Sequence, residues 1–531
     1  MMIRSLTRLA GVLAVALLLC GAPSASAPGG STRPGSPGTS QPGNVDYDMY
    51  FNSPVFDDPQ CAMEAVDGRL RIDPALTNAA MSCPDMLAWK VFIETVRQNF
   101  ITEWTSGDLM WPAEPLPLCP SAQGQPCCMP GSSSNPGYSD SSDPGRHCPF
   151  YTGGRNQPVV AALTAHRKDN SRVVGLPEMH GPVSITTKPV SFYNRSMYDY
   201  AFKNNLYNSD GLVTVLNNAN ADLDTNSPFR VRSVPGRLTT ISFKIDGWMV
   251  RSQWISKQDA IAAGVKDDPQ NPFIRIVLGA HRNYNFNPET FPPGEYWLMS
   301  FHLSTKDIPV WFWADFWHVN APGRCDYTGC NDSYGYFSGS NVPAGVSRNF
   351  IPPATRQAPA RDGGMAQLYI TGTTYPAGTA TPALATLLRK MGIGTGAAAG
   401  PMPAPGDPAW LSYRLRGSQW DFTDPAGRPS YVGATASNGG IVTGTSCVSC
   451  HATAGTLATG PSPQVLGVYF NWAGAPNAAN FNLNARPATN LILQNDFVWG
   501  FMHTVPLKAA PAPAGTAAGR PSPGGRRGGS R

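Results

Sequence analysis

The sequence predicts an α+β protein in which a large, strand-dominated domain carries a C-terminal loop and helix segment packed on it. Runs that alternate apolar and polar residues fill the middle of the chain, as in half-buried strands. Two other segments have apolar residues at helical spacing. Charged residues make up 14% of the 531 positions, with 54 Gly and 52 Pro, which suits loops and strands better than a helical bundle.

The N-terminus has the pattern of an export signal. A basic start, the apolar stretch Leu9–Gly21 and small residues up to Ala27 are typical of a secretory signal peptide over residues 1–27. The apolar stretch is shorter than the roughly 20 residues that span a bilayer, so we expect no transmembrane helix after cleavage. Acylation of Cys20 is a weaker alternative, because Leu19 precedes it where a small residue is usual. We therefore expect a periplasmic protein without a lipid anchor.

Composition divides the rest of the chain. Residues 28–44 are a flexible Pro/Gly/Ser linker, and residues 509–531 repeat that composition and are expected to be disordered. Between them lie a strand-rich globular body with disulfides (45–430) and a C-terminal segment (431–508). The formal net charge is +5, but four arginines lie in the tail and no basic stripe is interleaved with aromatics, which argues against a nucleic-acid partner.

The elements follow in chain order. Pro84 near the first turn, with apolar residues up to Val96 recurring on one face, predicts a helix. A cysteine-, Gly- and Ser-rich excursion over about 112–156 is interpreted as a disulfide-pinned loop. Strands are expected between about 184 and 320, and a second helix over about 381–391. The predicted strands are 241–245, ending at the turn Asp246-Gly247, then 273–278, 295–303 and 310–319.

The chain has 11 cysteines. Without Cys20, Cys447 and Cys450, an even number remains, which favours disulfides in an oxidising compartment. We expect a local bridge between Cys325 and Cys330, and different partners for the adjacent Cys127 and Cys128. A metal cluster is the alternative, but few histidines stand close to these cysteines in sequence. The remaining cysteines of this set are Cys61, Cys83, Cys119 and Cys148.

Cys447-Val-Ser-Cys450-His451 has the C-x-x-C-H spacing of c-type haem attachment. Two thiols at this spacing can add to the two vinyl groups of one porphyrin, and the next residue, His451, can ligate the iron. A small disulfide or a redox-active C-x-x-C is the alternative. The Gly- and Thr-rich residues before the motif resemble a loop, whereas a thioredoxin-like motif follows a strand. The sequence thus predicts one covalent haem c held by Cys447 and Cys450, with His451 as the proximal iron ligand.

The second axial position has several candidates. Met502 and its neighbour His503 follow the motif at a spacing like that in short bacterial cytochromes, and a methionine would raise the reduction potential relative to a second histidine. A distal residue elsewhere, or an open iron position, is also compatible with the sequence. Met502 in the core and His503 on the surface is the structural alternative. Aromatic residues that could line the porphyrin, or belong to an ordinary core, are Tyr469, Phe470, Trp472, Phe497, Trp499 and Phe501.

Two histidines in the aromatic strands, His302 and His318, are candidates for a catalytic role or an iron ligand, although a lone buried histidine is more often structural. If the strands pair as a hairpin through 304–309, the two histidines lie about seven residues apart, on the order of 20 Å. A shared site is then not expected. A calcium loop at Asp222–Asn226 is disfavoured, because the required glycine and glutamate are missing.

Several short motifs resemble a group of proteobacterial periplasmic proteins described only as cytochrome c family proteins. They are Trp89-x-x-Phe92-Ile93, Trp111-Pro112, Leu298-x-x-x-His302 with Lys306, Trp311 to Asn320, Trp410-x-x-Tyr413, Gln419-Trp420, Ser446 to His451 and Asp496-Phe497. Relatives often carry an acidic residue where Trp317 stands. The resemblance implies haem c and a periplasmic location, and no particular reaction.

The sequence therefore predicts an exported c-type cytochrome that transfers electrons with a redox partner protein. The alternative is a periplasmic haem enzyme, an oxidoreductase resembling a peroxidase, that acts on a small organic substrate. The large body favours the enzyme, but no distal Arg/His pair can be recognised in the sequence. A haem-based sensor is a third hypothesis.

Overall fold

The computed structural model describes the chain in separate stretches. These are residues 57–73, 78–119, 126–132, 144–153, 187–221, 234–279, 284–321, 332–337, 361–362, 365–366, 378–397, 400–423, 430, 432, 446–457, 460–461, 475 and 492–508. The predicted signal peptide, linker and C-terminal tail lie outside these residues, as do the expected Cys325–Cys330 bridge and the Asp222–Asn226 run.

Strand and helix are mixed, and every sheet is antiparallel, as the predicted α+β class requires. The strands are β1 (Ala62–Val66), β2 (Arg69–Asp73), β3 (Thr105–Ser106), β4 (Lys188–Tyr193), β5 (Trp248–Ser256), β6 (Arg275–Leu278), β7 (Gly294–Thr305), β8 (Phe312–His318), β9 (Tyr336–Phe337), β10 (Arg361–Asp362), β11 (Met365–Ala366), β12 (Thr379–Ala380), β13 (Tyr413–Gln419), β14 (Gly455–Leu457), β15 (Gly460–Pro461) and β16 (Leu493–Gln494). The central sheet has the order β13-β8-β7-β5-β4-β3, and β6 also pairs with β7.

The helices lie on both faces of the central sheet. They are α1 (Ala79–Ser82), α2 (Pro84–Arg97), α3 (Phe100–Glu103), α4 (Gly107–Met110), α5 (Arg195–Lys203), α6 (Ser209–Ala221), α7 (Lys257–Ala262), α8 (Pro382–Lys390) and α9 (Cys447–His451), with 3-10 helices at Pro408–Ser412 and Trp499–His503. Thr381 caps the predicted second helix, α8, by accepting from the Leu384 amide. No helix within the described stretches is long and apolar enough to cross a membrane.

Helix α2 covers one face of the sheet. Its predicted apolar stripe is buried, and Phe92 contacts Phe301 of β7 and Phe316 of β8 at ring-centroid distances of 5.8 and 4.8 Å. Such aromatic pairs add about 0.5–1.5 kcal/mol each beyond burial of their area. The opposite face carries Trp313 and packs against the C-terminal segment, including Val448 and Phe501. The sheet therefore separates two apolar cores.

Two predictions for residues 184–320 were wrong. Residues 241–245 form no strand, although Ile241 and Phe243 are buried and Ile245 is exposed. The Phe243 amide donates to the Asp496 carboxylate at 2.7 Å, so a side chain takes the place of a neighbouring strand. Helices α5 and α6 also lie in this region, and Asn194 caps α5. The strands at 273–278, 295–303 and 310–319 are confirmed with small changes of boundary.

Three disulfides hold the N-terminal half. Cys61 pairs with Cys83, and the adjacent Cys127 and Cys128 have different partners, Cys119 and Cys148, as predicted. The described part of the Cys-rich excursion (about 112–156) forms neither helix nor strand beyond an isolated bridge. The expectation of a disulfide-pinned loop there is confirmed.

Candidate functional site

The short helix α9, which contains the C-x-x-C-H motif, is held on the edge strand β13 by one glutamine. Gln419 Nε2 donates to Ser446 Oγ at 3.0 Å, and Gln419 Oε1 accepts from the Val448 amide at 3.0 Å. Ser446 Oγ also donates to Ser449 Oγ at 2.8 Å, within the first turn. Gln419 is 1% exposed, so these bonds are shielded from water. The motif helix is thereby hydrogen-bonded to the central sheet.

Cys447 and Cys450 are free, whereas the six other cysteines within the described stretches are paired. Burial raises the pKa of both thiols, and for Cys447 the Asp315 carboxylate raises it further. A redox-active C-x-x-C normally has a lowered thiol pKa, because the thiolate is the reactive form. The raised pKa values argue against a thioredoxin-like thiolate at this pair.

The His451 imidazole is oriented by a backbone carbonyl. His451 Nδ1 donates to the Phe497 carbonyl oxygen at 2.7 Å, which places the proton on Nδ1 and leaves the Nε2 lone pair for a metal. Burial lowers the pKa of His451 to about 4, so the ring is neutral at physiological pH. Trp313 packs beside it at a centroid distance of 4.3 Å. His451 could therefore bind a metal through Nε2.

The carbonyl that holds His451 belongs to an unusual turn. Asp496 and Phe497 both have positive φ, 47° and 65°, a conformation that is uncommon for residues with side chains. The Asp496 carboxylate accepts from the Phe243 amide, from the Trp311 indole at 3.3 Å, and from the Lys306 ammonium in a short ion pair. These bonds stabilise the strained turn and fix the direction of the Phe497 carbonyl.

Below the motif, three strands of the central sheet contribute side chains to one face. Arg251 of β5 is directly opposite His302 of β7, which is opposite Asp315 of β8. Directly paired residues project to the same face. The His302 ring lies 6.0 Å from the His451 ring, centroid to centroid, with the two planes at 88°. His302 was predictable from the sequence, whereas Arg251 and Asp315 were not, because long-range strand register has no local sequence signal.

Arg251 is an incompletely satisfied cation beside the two imidazoles. Its Nε is buried without a hydrogen-bond partner among the described residues. Burial lowers the pKa of Arg251, yet guanidinium stays charged at physiological pH. A buried, unpaired guanidinium donor is costly. The site would therefore favour a bound group that carries an anion or a hydrogen-bond acceptor.

His318 has a different environment. The hairpin turn is at 306–311, so His318 lies only three residues beyond Asp315, about 10 Å, rather than about seven residues from His302. The odd spacing places its side chain on the opposite face. Its Nε2 donates to the Pro272 carbonyl oxygen at 3.1 Å, its Nδ1 accepts from the Asn320 amide at 3.0 Å, and Phe273 stacks on it at 3.5 Å. These contacts support the structural alternative for His318, whose catalytic role stays a prediction.

The other predicted ligands lie in the 3-10 helix at Trp499–His503. Met502 is half-buried and His503 is exposed. Phe501 belongs to the core, with Trp111 at a centroid distance of 4.9 Å. The Trp499 indole donates to the Cys450 carbonyl oxygen at 3.2 Å, so this aromatic contacts the motif itself. Tyr469, Phe470 and Trp472 fall outside the described residues.

Comparison with protein families, with curated proteins and with solved structures gave no match. Within the described stretches, no three His, Cys, Asp or Glu side chains converge to hold a bare metal ion. The donor set fits a covalent porphyrin instead: two unbridged thiols three residues apart, a neutral imidazole with a free Nε2, and the buried Arg251 Nε that seeks an acceptor. A haem has such acceptors in its carboxylates.

Proposed function

We propose that this chain is an exported c-type cytochrome that binds one haem covalently and transfers electrons in the periplasm. The observation that carries the proposal is the state of the motif: Cys447 and Cys450 are unbridged beside a His451 whose Nδ1 is already engaged. Bound haem supplies a one-electron redox centre. Cys447 and Cys450 anchor it, and His451 ligates the iron.

The surrounding residues suit a redox centre that changes its oxidation state while its protein ligands stay in place. Gln419 holds the motif helix, and the Asp496–Phe497 turn holds the imidazole, so the ligand cannot swing away. The Phe497 carbonyl increases the basicity of the His451 ring, which stabilises the oxidised iron. Rigid positioning of the ligand lowers the reorganisation energy of electron transfer. The partner that we propose is a redox protein.

The proposed location rests on the N-terminal pattern over residues 1–27 together with three disulfides. Disulfides persist in oxidising compartments such as the periplasm, and are rare in the reducing cytosol. Covalent attachment retains haem in an open extracytoplasmic space, where a dissociable cofactor would be lost. The two features support the same compartment.

A periplasmic haem oxidoreductase is the second candidate, and one observation favours it. Arg251 and His302 are cross-strand neighbours on the face toward the motif. A neutral imidazole can accept a proton and a guanidinium can stabilise negative charge, so the pair could perform acid–base chemistry on a small substrate. This pair is the Arg/His combination that could not be recognised in the sequence.

The proposal is tested by expressing the full chain in a bacterium with a cytochrome c maturation system. The mature wild-type protein should gain the mass of one haem and give a haem-staining band on a denaturing gel. Cys447→Ser combined with Cys450→Ser should abolish the band. Cys119→Ser combined with Cys127→Ser is the matched control, because it removes two cysteines that pair with each other outside the motif and should retain haem. Wild-type protein without added mass, with Cys447 and Cys450 joined to each other, would refute the proposal.

A further inference from the structure

The imidazole that faces His451 comes from the middle of the central sheet. His302 is in β7, which pairs with β5 on one side and with β8 on the other, and it is 6% exposed. Its ring centre is 6.0 Å from that of His451. The two histidines reach this distance from unrelated parts of the chain, one from a rigid strand and one from the short helix α9.

The distance between the rings discriminates between two arrangements. Metal–imidazole bonds of about 2 Å, with about 1 Å more from each nitrogen to its ring centre, place two axial imidazoles on one metal about 6 Å apart. A distal imidazole that leaves room for a substrate molecule would be farther away by roughly 3 Å, the length of a hydrogen bond. The observed 6.0 Å matches the first arrangement and is too short for the second, although ordinary edge-to-face ring packing, at roughly 4.5–7 Å, includes the same distance.

The His302 side chain has no hydrogen-bonding role among the described residues. No hydrogen bond to its nitrogens is found there, in contrast to His318, whose two ring nitrogens both bind backbone groups. The His302 ring therefore remains available to bind a metal.

We infer that His302 is the second axial ligand of the haem, opposite His451. The inference rests on the proposed haem attachment and deepens it, because it makes the iron six-coordinate with two histidines. It assigns neither Met502 nor His503 to the iron. The reduction potential should then be lower than with a methionine ligand. A closed coordination shell also favours the electron carrier over the enzyme.

The first experiment uses the wild-type holoprotein and needs no variant. Pulsed electron paramagnetic resonance of the ferric protein, produced with ¹⁵N-histidine, counts the imidazoles bound to iron. Two coordinated histidines in a low-spin signal, with no methionine–iron charge-transfer band in the absorption spectrum, support the inference. One coordinated histidine overturns it. Covalent haem found by mass in the same sample shows that the proposed haem attachment stands even when the ligand assignment fails.

Variants then identify the second histidine. His302→Ala should keep covalent haem but become high-spin and bind cyanide, and added imidazole should restore the low-spin spectrum. His302→Met should shift the potential upward. Met502→Leu and His503→Ala are the controls, and their spectra should match wild type. A low-spin, cyanide-resistant spectrum in His302→Ala, or loss of the low-spin state in Met502→Leu, contradicts the assignment.

Discussion

Replacing Asp496 by alanine should remove the group that stabilises the Asp496–Phe497 turn and thereby orients the His451 imidazole. The carboxylate lies in a positive-φ turn and accepts hydrogen bonds from the Phe243 amide, the Trp311 indole and the Lys306 ammonium. Its side chain is 7% exposed and that of Lys306 is 11% exposed, so water cannot readily take its place. Asp496→Ala leaves three donors without this acceptor.

The cost follows from those three donors. A buried neutral donor left unpaired costs roughly 1–3 kcal/mol, and two of the donors, the Phe243 amide and the Trp311 indole, are of this kind. The Lys306 ammonium keeps a hydrogen bond to the Pro309 carbonyl oxygen at 2.9 Å. Loss of the Lys306–Asp496 ion pair should therefore cost an amount at the low end of the roughly 3–5 kcal/mol seen for broken buried pairs. Since alternative packing recovers some of this, we expect a loss of about 3–6 kcal/mol in the free energy of unfolding.

Urea unfolding followed by tryptophan fluorescence measures the loss. The matched control is Asp67→Ala, because Asp67 also has positive φ, 50°, but lies exposed in the turn between β1 and β2. Both variants carry the backbone cost of a left-handed alanine, about 1–2 kcal/mol, and only Asp496→Ala loses buried hydrogen bonds. If the two variants lose the same stability within about 1 kcal/mol, the Asp496 carboxylate does not stabilise the turn.

Gly500→Ala should destabilise the docked C-terminal segment, because its Cβ would overlap the Tyr193 hydroxyl. Thermal unfolding should show a lower melting temperature for this variant and no such decrease for Gly400→Ala, where the added Cβ lies in open space. Stability should also fall as pH rises from about 4 to 8. Burial raises the pKa of Asp57 to about 8 and of Asp332 to about 7, so the folded state keeps protons that the unfolded chain releases near pH 4. Asp57→Asn should flatten this slope in urea unfolding, and an unchanged slope would contradict the assignment.

The parts of the fold predicted correctly are those encoded by local pattern. Helix α2 follows from its apolar stripe and Pro84, and β7 and β8 follow from their aromatic runs and the short turn between them. The strand predicted at 241–245 was wrong. The alternation of apolar and polar residues there reflects burial of the side chains, while the Phe243 amide donates a hydrogen bond to the Asp496 carboxylate, far along the chain. Alternation of apolar and polar residues indicates which side chains are buried, but it does not indicate which groups accept the hydrogen bonds of the backbone amides.

The candidate site shows the same division. Cys447, Cys450 and His451 are adjacent, so their spacing alone predicts the attachment of haem. Arg251 and Asp315 reach His302 only through the register of three strands, which depends on which residues pair after folding. Gln419 and Asp496 act through hydrogen bonds to α9 and to the Asp496–Phe497 turn, and only their place in the family resemblance pointed to them.

The size of the body, which first favoured an enzyme, has a structural explanation in these contacts. The motif helix α9 has five residues, too short to be stable without tertiary packing. The sheet supplies the missing support: β13 holds the helix through Gln419, and β5, β7 and β8 place Arg251, His302 and Asp315 beneath it. One side of the candidate site is therefore a strand in the centre of a seven-stranded sheet, so the site cannot form without the large body.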